Sequence, residues 1–251
     1  MFPKATINRC LFFLILSTQF LQCNNGQTID AIPNLNFEEW EENSLQDDPF
    51  LMADTTHKIA NAKVGKLTGW SAFGQSAVRT TDAFEGDYAL VVNSWYGTGP
   101  GVVDLGQCRV TNRSQACGMP FQGRLNKLNG HYKLVAGSTQ DNHVLRGSVA
   151  VYSFRYNAAS QKRDTVALGQ LFLEPTEEYT PFEFKINTIL EDVLSDSIAV
   201  VFRVDGSDCQ HGKCNYFYLD NLEIQGETTL ECPYHGWRFG TDGVCRLMPS
   251  L

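Results

Sequence analysis

The chain has 251 residues, with 20 basic and 28 acidic side chains and a net charge of -8. At 43% hydrophobic and 19% charged it has the composition of a folded chain rather than a disordered one. No basic block is present to neutralise phosphates, which excludes nucleic acid and anionic membrane surfaces as principal partners.

Residues 1–23 have the pattern of an export signal peptide. Lys4 and Arg9 precede the apolar run Leu11–Leu16, and polar Ser17, Thr18 and Gln19 follow it. The run is too short to span a bilayer, and no second run of spanning length follows. The expectation is an exported chain, secreted or at the cell surface, and not an integral membrane protein. Cys23 stands where a lipoprotein carries its acceptor cysteine, although Gln22 is unusual before the cut. A lipid anchor and free release both stay open.

From about residue 24 to 226 short alternating stretches are separated by Gly, Asn, Asp and Pro. They include Val144–Phe154, Thr165–Leu173, Phe182–Ile186, Ile198–Val204 and Tyr216–Ile224. Period-two patterning with β-branched and aromatic residues predicts an all-β, antiparallel β-sandwich. Only Ile189–Leu194 suggests a short helical turn.

The order of several motifs resembles a known family. Pro33–Trp40, Gly69-Trp70, Thr81–Leu90, Gly118–Phe121, Leu128–Lys133, Asp196–Ile198 and Phe217–Leu222 succeed one another as in jelly-roll modules of exported Bacteroidetes-type proteins. That is the carbohydrate-metabolism and carbohydrate-binding-like group, and the resemblance covers residues 28–226. It implies a jelly roll and a partner that is a polysaccharide or cell-surface glycan, held near companion surface enzymes. It also implies a structural calcium near the first and last strands, where Glu38 and Asp220 stand; calcium needs six or more oxygens, of which these name two.

Sugars pack their C–H faces on aromatic rings and take hydrogen bonds from neighbouring polar groups. Trp95 and Tyr96, ahead of the loop Gly97–Gly101, are candidates for the aromatic platform, with Asn93 and Arg124 as hydrogen-bonding partners. The same aromatics could instead close one end of the core. Glu85, Asp104 and Asp141 show no spacing that would pair two of them across a glycosidase cleft. No serine elbow, metalloprotease helix or phosphate loop occurs. A binding role without catalysis is expected.

The tail, residues 227–251, differs in character. Cys232–Cys245, with Cys232-Pro233-Tyr234-His235 at its start, resembles the second ligand loop of Rieske [2Fe–2S] proteins, and Cys209-Gln210-His211 supplies the first C-x-H. The connecting Ile224–Glu231 resembles the hairpin ahead of that second loop. The resemblance implies Cys209 and Cys232 on one iron and His211 and His235 on the other, in a redox protein. Two imidazoles in place of thiolates raise the cluster's potential.

Disulfides are the alternative. Setting aside Cys10 and Cys23, the cysteines fall into sequential pairs: Cys108 with Cys117, Cys209 with Cys214, and Cys232 with Cys245. Nearby cysteines in an exported chain read as hairpin staples, each worth about 2–3 kcal/mol by loop closure. An oxidised Cys209 or Cys232 cannot give a thiolate to iron, so the two readings exclude one another. With disulfides no cofactor is expected; with the cluster the protein becomes an oxidoreductase.

Overall fold

The computed structural model describes residues 27–29, 32–47, 59–94, 100–106, 118–136, 145–205, 215–231, 238–240 and 245–247. These residues form β1 (Gln27–Thr28), β2 (Lys63–Val64), β3 (Trp70–Ala72), β4 (Ala77–Thr80), β5 (Ala89–Asn93), β6 (Gly101–Leu105) and β7 (Met119–Val135). Then come β8 (Gly147–Asn157), β9 (Lys162–Leu173), β10 (Thr176–Lys185), β11 (Asn187–Thr188), β12 (Ser195–Val204), β13 (Tyr216–Glu231), β14 (Arg238–Gly240) and β15 (Cys245–Leu247). All the pairings are antiparallel, as the alternation requires. A 3-10 turn at Glu42–Ser44 is the only helical element among the described residues.

The strands make two layers. One runs β2-β4-β5-β13-β7-β10, with β1 on the edge of β13. The other runs β11-β9-β8-β12-β6-β3. β7 belongs to both: Met119–Gly123 pairs with β12, and Gly123–Val135 pairs with β13. The layers enclose one apolar core that includes Leu90, Leu128, Leu134, Val149, Val200, Phe202, Phe217 and Leu219. This is the all-β sandwich expected.

The Pro33–Trp40 motif closes over that core. Phe37 is fully buried, edge-on to Trp70 (centroids 5.7 Å) and Phe202 (6.0 Å), while Trp70 stacks on Phe202 at 5.1 Å. The indole N–H of Trp40 donates to the Phe37 carbonyl at 2.8 Å, and Asn34 exchanges hydrogen bonds with the backbone of Glu39.

Two expectations are corrected. Ile189–Leu194 is not helical: it is a turn in which the Val193 N–H reaches the Leu190 carbonyl at 3.4 Å, and Ile189 is exposed. Ile224–Glu231 is not a hairpin: it is the second half of β13, which continues past residue 226 with a register shift between Gln225 and Gly226. There β13 pairs with β7 as far as Thr228↔Gly123, and Thr229–Glu231 pairs with β14. Among the described residues no helix is long and apolar enough to cross a membrane.

Candidate functional site

On β7 the inward residues Leu128, Tyr132 and Leu134 join the core, which turns Asn129, His131 and Lys133 to the opposite face. Across that face Pro181 is the register partner of His131 on β10, and Glu183 that of Asn129. On β13 Asp220 lies opposite His131 and Glu223 opposite Asn129. The extra residue between them makes a bulge, with Asn221 at φ +47°. The result is a groove of about 550 Å³, lined by Asn129, His131, Pro181, Glu183, Asn221 and Glu223.

The loop 82–88 stands beside this groove and is held from several sides. Asp220 Oδ2 accepts from the N–H groups of Phe84 (2.7 Å) and Glu85 (3.0 Å). Glu38 Oε1 accepts from those of Asp87 (2.9 Å) and Tyr88 (3.2 Å). Gly86, at φ +77°, lets the backbone close on Glu38, since a Cβ there would run into that carboxylate. Asn221 donates to Glu85 Oε2 at 2.7 Å, and the Tyr179 hydroxyl donates to the Asp82 carbonyl at 2.7 Å. Phe84 stacks on the His131 ring (centroids 3.6 Å, 11°) and is still 45% exposed.

Charge on this face is managed locally. Lys133 is buried, ion-paired with Asp82, and lies over the rings of Tyr218 (4.1 Å) and Tyr179 (5.0 Å). Lys127 pairs with Glu183 at 2.8 Å. Burial pushes the Asp220 carboxyl up, against the pull of three backbone N–H donors. Burial holds His131 below its ordinary value, opposed by Glu85, and its Nδ1 is buried with no hydrogen-bond partner. The Tyr179 hydroxyl is pushed far up by burial and by nearby carboxylates.

The expected site residues are scattered relative to this groove. Trp95 and Tyr96 lie outside the described residues, as do Cys209, His211, Cys232, His235 and Asp141. Asn93 is buried at the end of β5; with its amide nitrogen turned toward the Gln75 and Ser76 carbonyls it donates at 3.0 and 3.3 Å. Arg124 donates to the Glu191 carbonyl and so ties down the turn at 189–194. Glu38 and Asp220 do meet at one loop, but the contacts they make there are to N–H groups. Among the described residues no three His, Cys, Asp or Glu side chains converge as a metal site. Sequence reasoning missed Phe84, Asn129, His131, Glu183 and Glu223. The signal available was the polar alternation Asn129, His131, Lys133 within a stretch otherwise read as a motif.

Comparison with known proteins divides the chain. The Rieske [2Fe–2S] domain family matches residues 192–251, beginning just before β12 and running through β13. Chlorophyllide a oxygenase of Arabidopsis thaliana is 48% identical over 42 residues, 17% of this chain, and the same enzyme of Oryza sativa subsp. japonica is 43% identical over 42. The chain spans 7% of the length of these curated relatives. Among solved structures, TmCBM61 in complex with beta-1,4-galactotriose is similar at 12% identity and a TM-score of 0.39, over 64% of this chain and 90% of that one. The CBM22-1 xylan-binding domain from Paenibacillus barcinonensis Xyn10C is similar at 17% identity and a TM-score of 0.35, over 63% and 85%.

Proposed function

We propose that this chain is an exported, non-catalytic glycan-binding module, and that the groove across β7, β10 and β13 receives the sugar. The observation that carries this reading is the partly exposed Phe84 ring beside a row of polar side chains. The ring offers an apolar surface for sugar C–H groups. Asn129, His131, Glu183, Asn221 and Glu223, drawn from three strands, offer donors and acceptors to hydroxyls. A polysaccharide or cell-surface glycan fits such an open groove, and the module would hold it near companion enzymes. Trp95 and Tyr96, outside the described residues, are proposed as a further aromatic contact.

Affinity electrophoresis of the full chain against a panel of soluble polysaccharides tests this. Retardation by at least one of them is expected, and it is lost in Phe84→Ala and weakened in Asn129→Ala, with melting temperatures close to the parent's. Trp95→Ala run alongside reports whether the loop contributes. Absence of retardation across the panel would remove the proposal.

The match of residues 192–251 to the Rieske family supports a second, redox reading. In it Cys209 and Cys232 would hold one iron and His211 and His235 the other, and the chain would carry electrons. That arrangement requires the two halves of the ligand set in one place. All four lie outside the described residues, and glycan binding, which rests on described side chains, is the reading preferred.

A further inference from the structure

We propose that the molecule has a second saccharide site, a bowl of about 540 Å³ between the β8–β9 hairpin and the turn at 189–194, and that it takes an uncharged sugar unit. It shares no lining residue with the groove across β7, β10 and β13, so it stands or falls apart from the reading of that groove. Its volume lies within the range of small-ligand sites. Its lining combines Arg155, Tyr156, Asp164 and Asp192 with the apolar Leu190 and Val193.

The fold leaves three of these side chains uncommitted. Tyr156 is 48% exposed, and among the described residues its ring stacks on nothing and its hydroxyl makes no hydrogen bond. Arg155 and Asp192 are exposed too, and among the described residues neither side chain enters an ion pair or a hydrogen bond. A half-exposed ring at the rim of a polar bowl offers the flat apolar face on which sugar C–H groups pack. The charges narrow the ligand further. Arg155 can only donate, and ionised Asp164 and Asp192 can only accept. A hydroxyl does both, so a polyhydroxylated ligand satisfies all three. A uronate or a phosphate would meet one cation and two carboxylates, a balance that turns it away.

Both walls are fixed before a ligand arrives. Asn157 Oδ1 accepts from the N–H groups of Ala159 (3.1 Å) and Ser160 (3.3 Å), and its amide donates to Asp164 Oδ2 at 2.8 Å. The Tyr156 N–H donates to Asp196 Oδ2 at 2.7 Å, which ties the ring's backbone to the start of β12. In the opposite wall the N–H groups of Ile189 (2.7 Å) and Leu190 (3.2 Å) both donate to the Val166 carbonyl. Arg124 holds the Glu191 carbonyl, and Leu194 is buried beneath. Walls ordered in advance reduce the entropy lost on binding.

Nuclear magnetic resonance of the full chain tests this, with the methyl glycosides of glucose, galactose, mannose and xylose added at millimolar concentration. Backbone signals of residues 155–164 and 190–194 report the bowl, and those of 129–131 and 221–223 report the groove. At least one of these glycosides is expected to shift the first set, whereas methyl glucuronide and inorganic phosphate leave it unchanged. Tyr156→Ala should weaken that binding about tenfold, and Tyr156→Phe, which keeps the ring, by no more than about twofold. Asp192→Asn, at an exposed position, should weaken it several-fold, and Phe84→Ala should leave it intact. No shift at the bowl with any of the four glycosides would overturn the proposal. So would a shift undiminished in Tyr156→Ala, or one matched by methyl glucuronide or phosphate. Shifts confined to the groove would overturn it and leave the groove reading standing, and shifts confined to the bowl would support it and count against the groove.

Discussion

His131 on β7 and Asp220 on β13 are register partners, and both hold the same loop. Asp220 does so through its carboxylate, which binds the N–H groups of Phe84 and Glu85, and His131 does so by stacking its ring on Phe84. One cross-strand pair thus sets the position of the aromatic ring beside the groove. Asp220 is 1% exposed, so water cannot replace its contacts.

Replacing Asp220 by Ala leaves two loop N–H groups without acceptors and empties a buried position. A loss of about 2–3 kcal/mol is expected, read from urea unfolding midpoints. Asp220→Asn should recover less than half of it, because a single amide oxygen replaces two carboxylate oxygens facing donors. If either variant is as stable as the parent, the loop is held by something else.

The two partners shift stability with pH in opposite senses. The folded state holds His131 below its ordinary value of 6.5, so the unfolded chain takes up the proton first as pH falls. The His131 contribution is complete above about 6.5 and is lost as pH drops through the lower, folded value. Asp220 is raised above its ordinary 3.8, so its contribution is complete below that value and is lost as pH rises through the folded one. Unfolding free energies between pH 4 and 8 for His131→Gln and Asp220→Asn, each against the parent, should show the two slopes removed separately.

Calcium removal is expected to leave the melting temperature unchanged. Glu38 and Asp220 hold loop 82–88 through backbone N–H groups, whereas a calcium ion would need oxygens from that loop. A filled site at a hundredfold over its dissociation constant would add about 2.7 kcal/mol, so thermal melts in chelator and in millimolar calcium separate the cases clearly. A calcium-dependent rise would return these two carboxylates to the role that the jelly-roll resemblance implies for them.

Gly226→Ala should destabilise the fold by about 1–3 kcal/mol, the usual cost of forcing extra volume into a packed contact. The collision is with the Arg124 carbonyl, backbone that cannot rotate away. Thermal and chemical unfolding of the variant measure it. A neutral result would mean that β13 and β7 do not approach as closely here as described.

The strands that show plainly in sequence are those with one apolar face and a regular partner. β8, β9 and β12 fall within a few residues of the alternating stretches Val144–Phe154, Thr165–Leu173 and Ile198–Val204. β10 begins earlier than its apolar end, Phe182–Ile186, suggests, because Thr176–Thr180 lies at a sheet edge, where Glu177 and Glu178 are exposed and no regular apolar face forms. The length of β13 was hidden by Gln225-Gly226-Glu227, which has turn composition but adopts extended backbone. The groove was illegible for a different reason. It draws Phe84, His131, Glu183 and Glu223 from separate strands and a loop, and only the register of β7 against β10 and β13 brings them together.

β7 is hydrogen-bonded to β12, β10 and β13, all of which come later in the chain. During synthesis it must therefore wait, with its backbone donors and acceptors unpaired, for segments emitted from the ribosome long after it. A nascent chain halted before residue 216 would present β7 with a raw edge next to Leu128, Tyr132 and Leu134, a template for joining other chains. Exported chains that fold only on release avoid this hazard differently from those that fold as they emerge, and for this fold the burden falls on whatever shields one 17-residue strand.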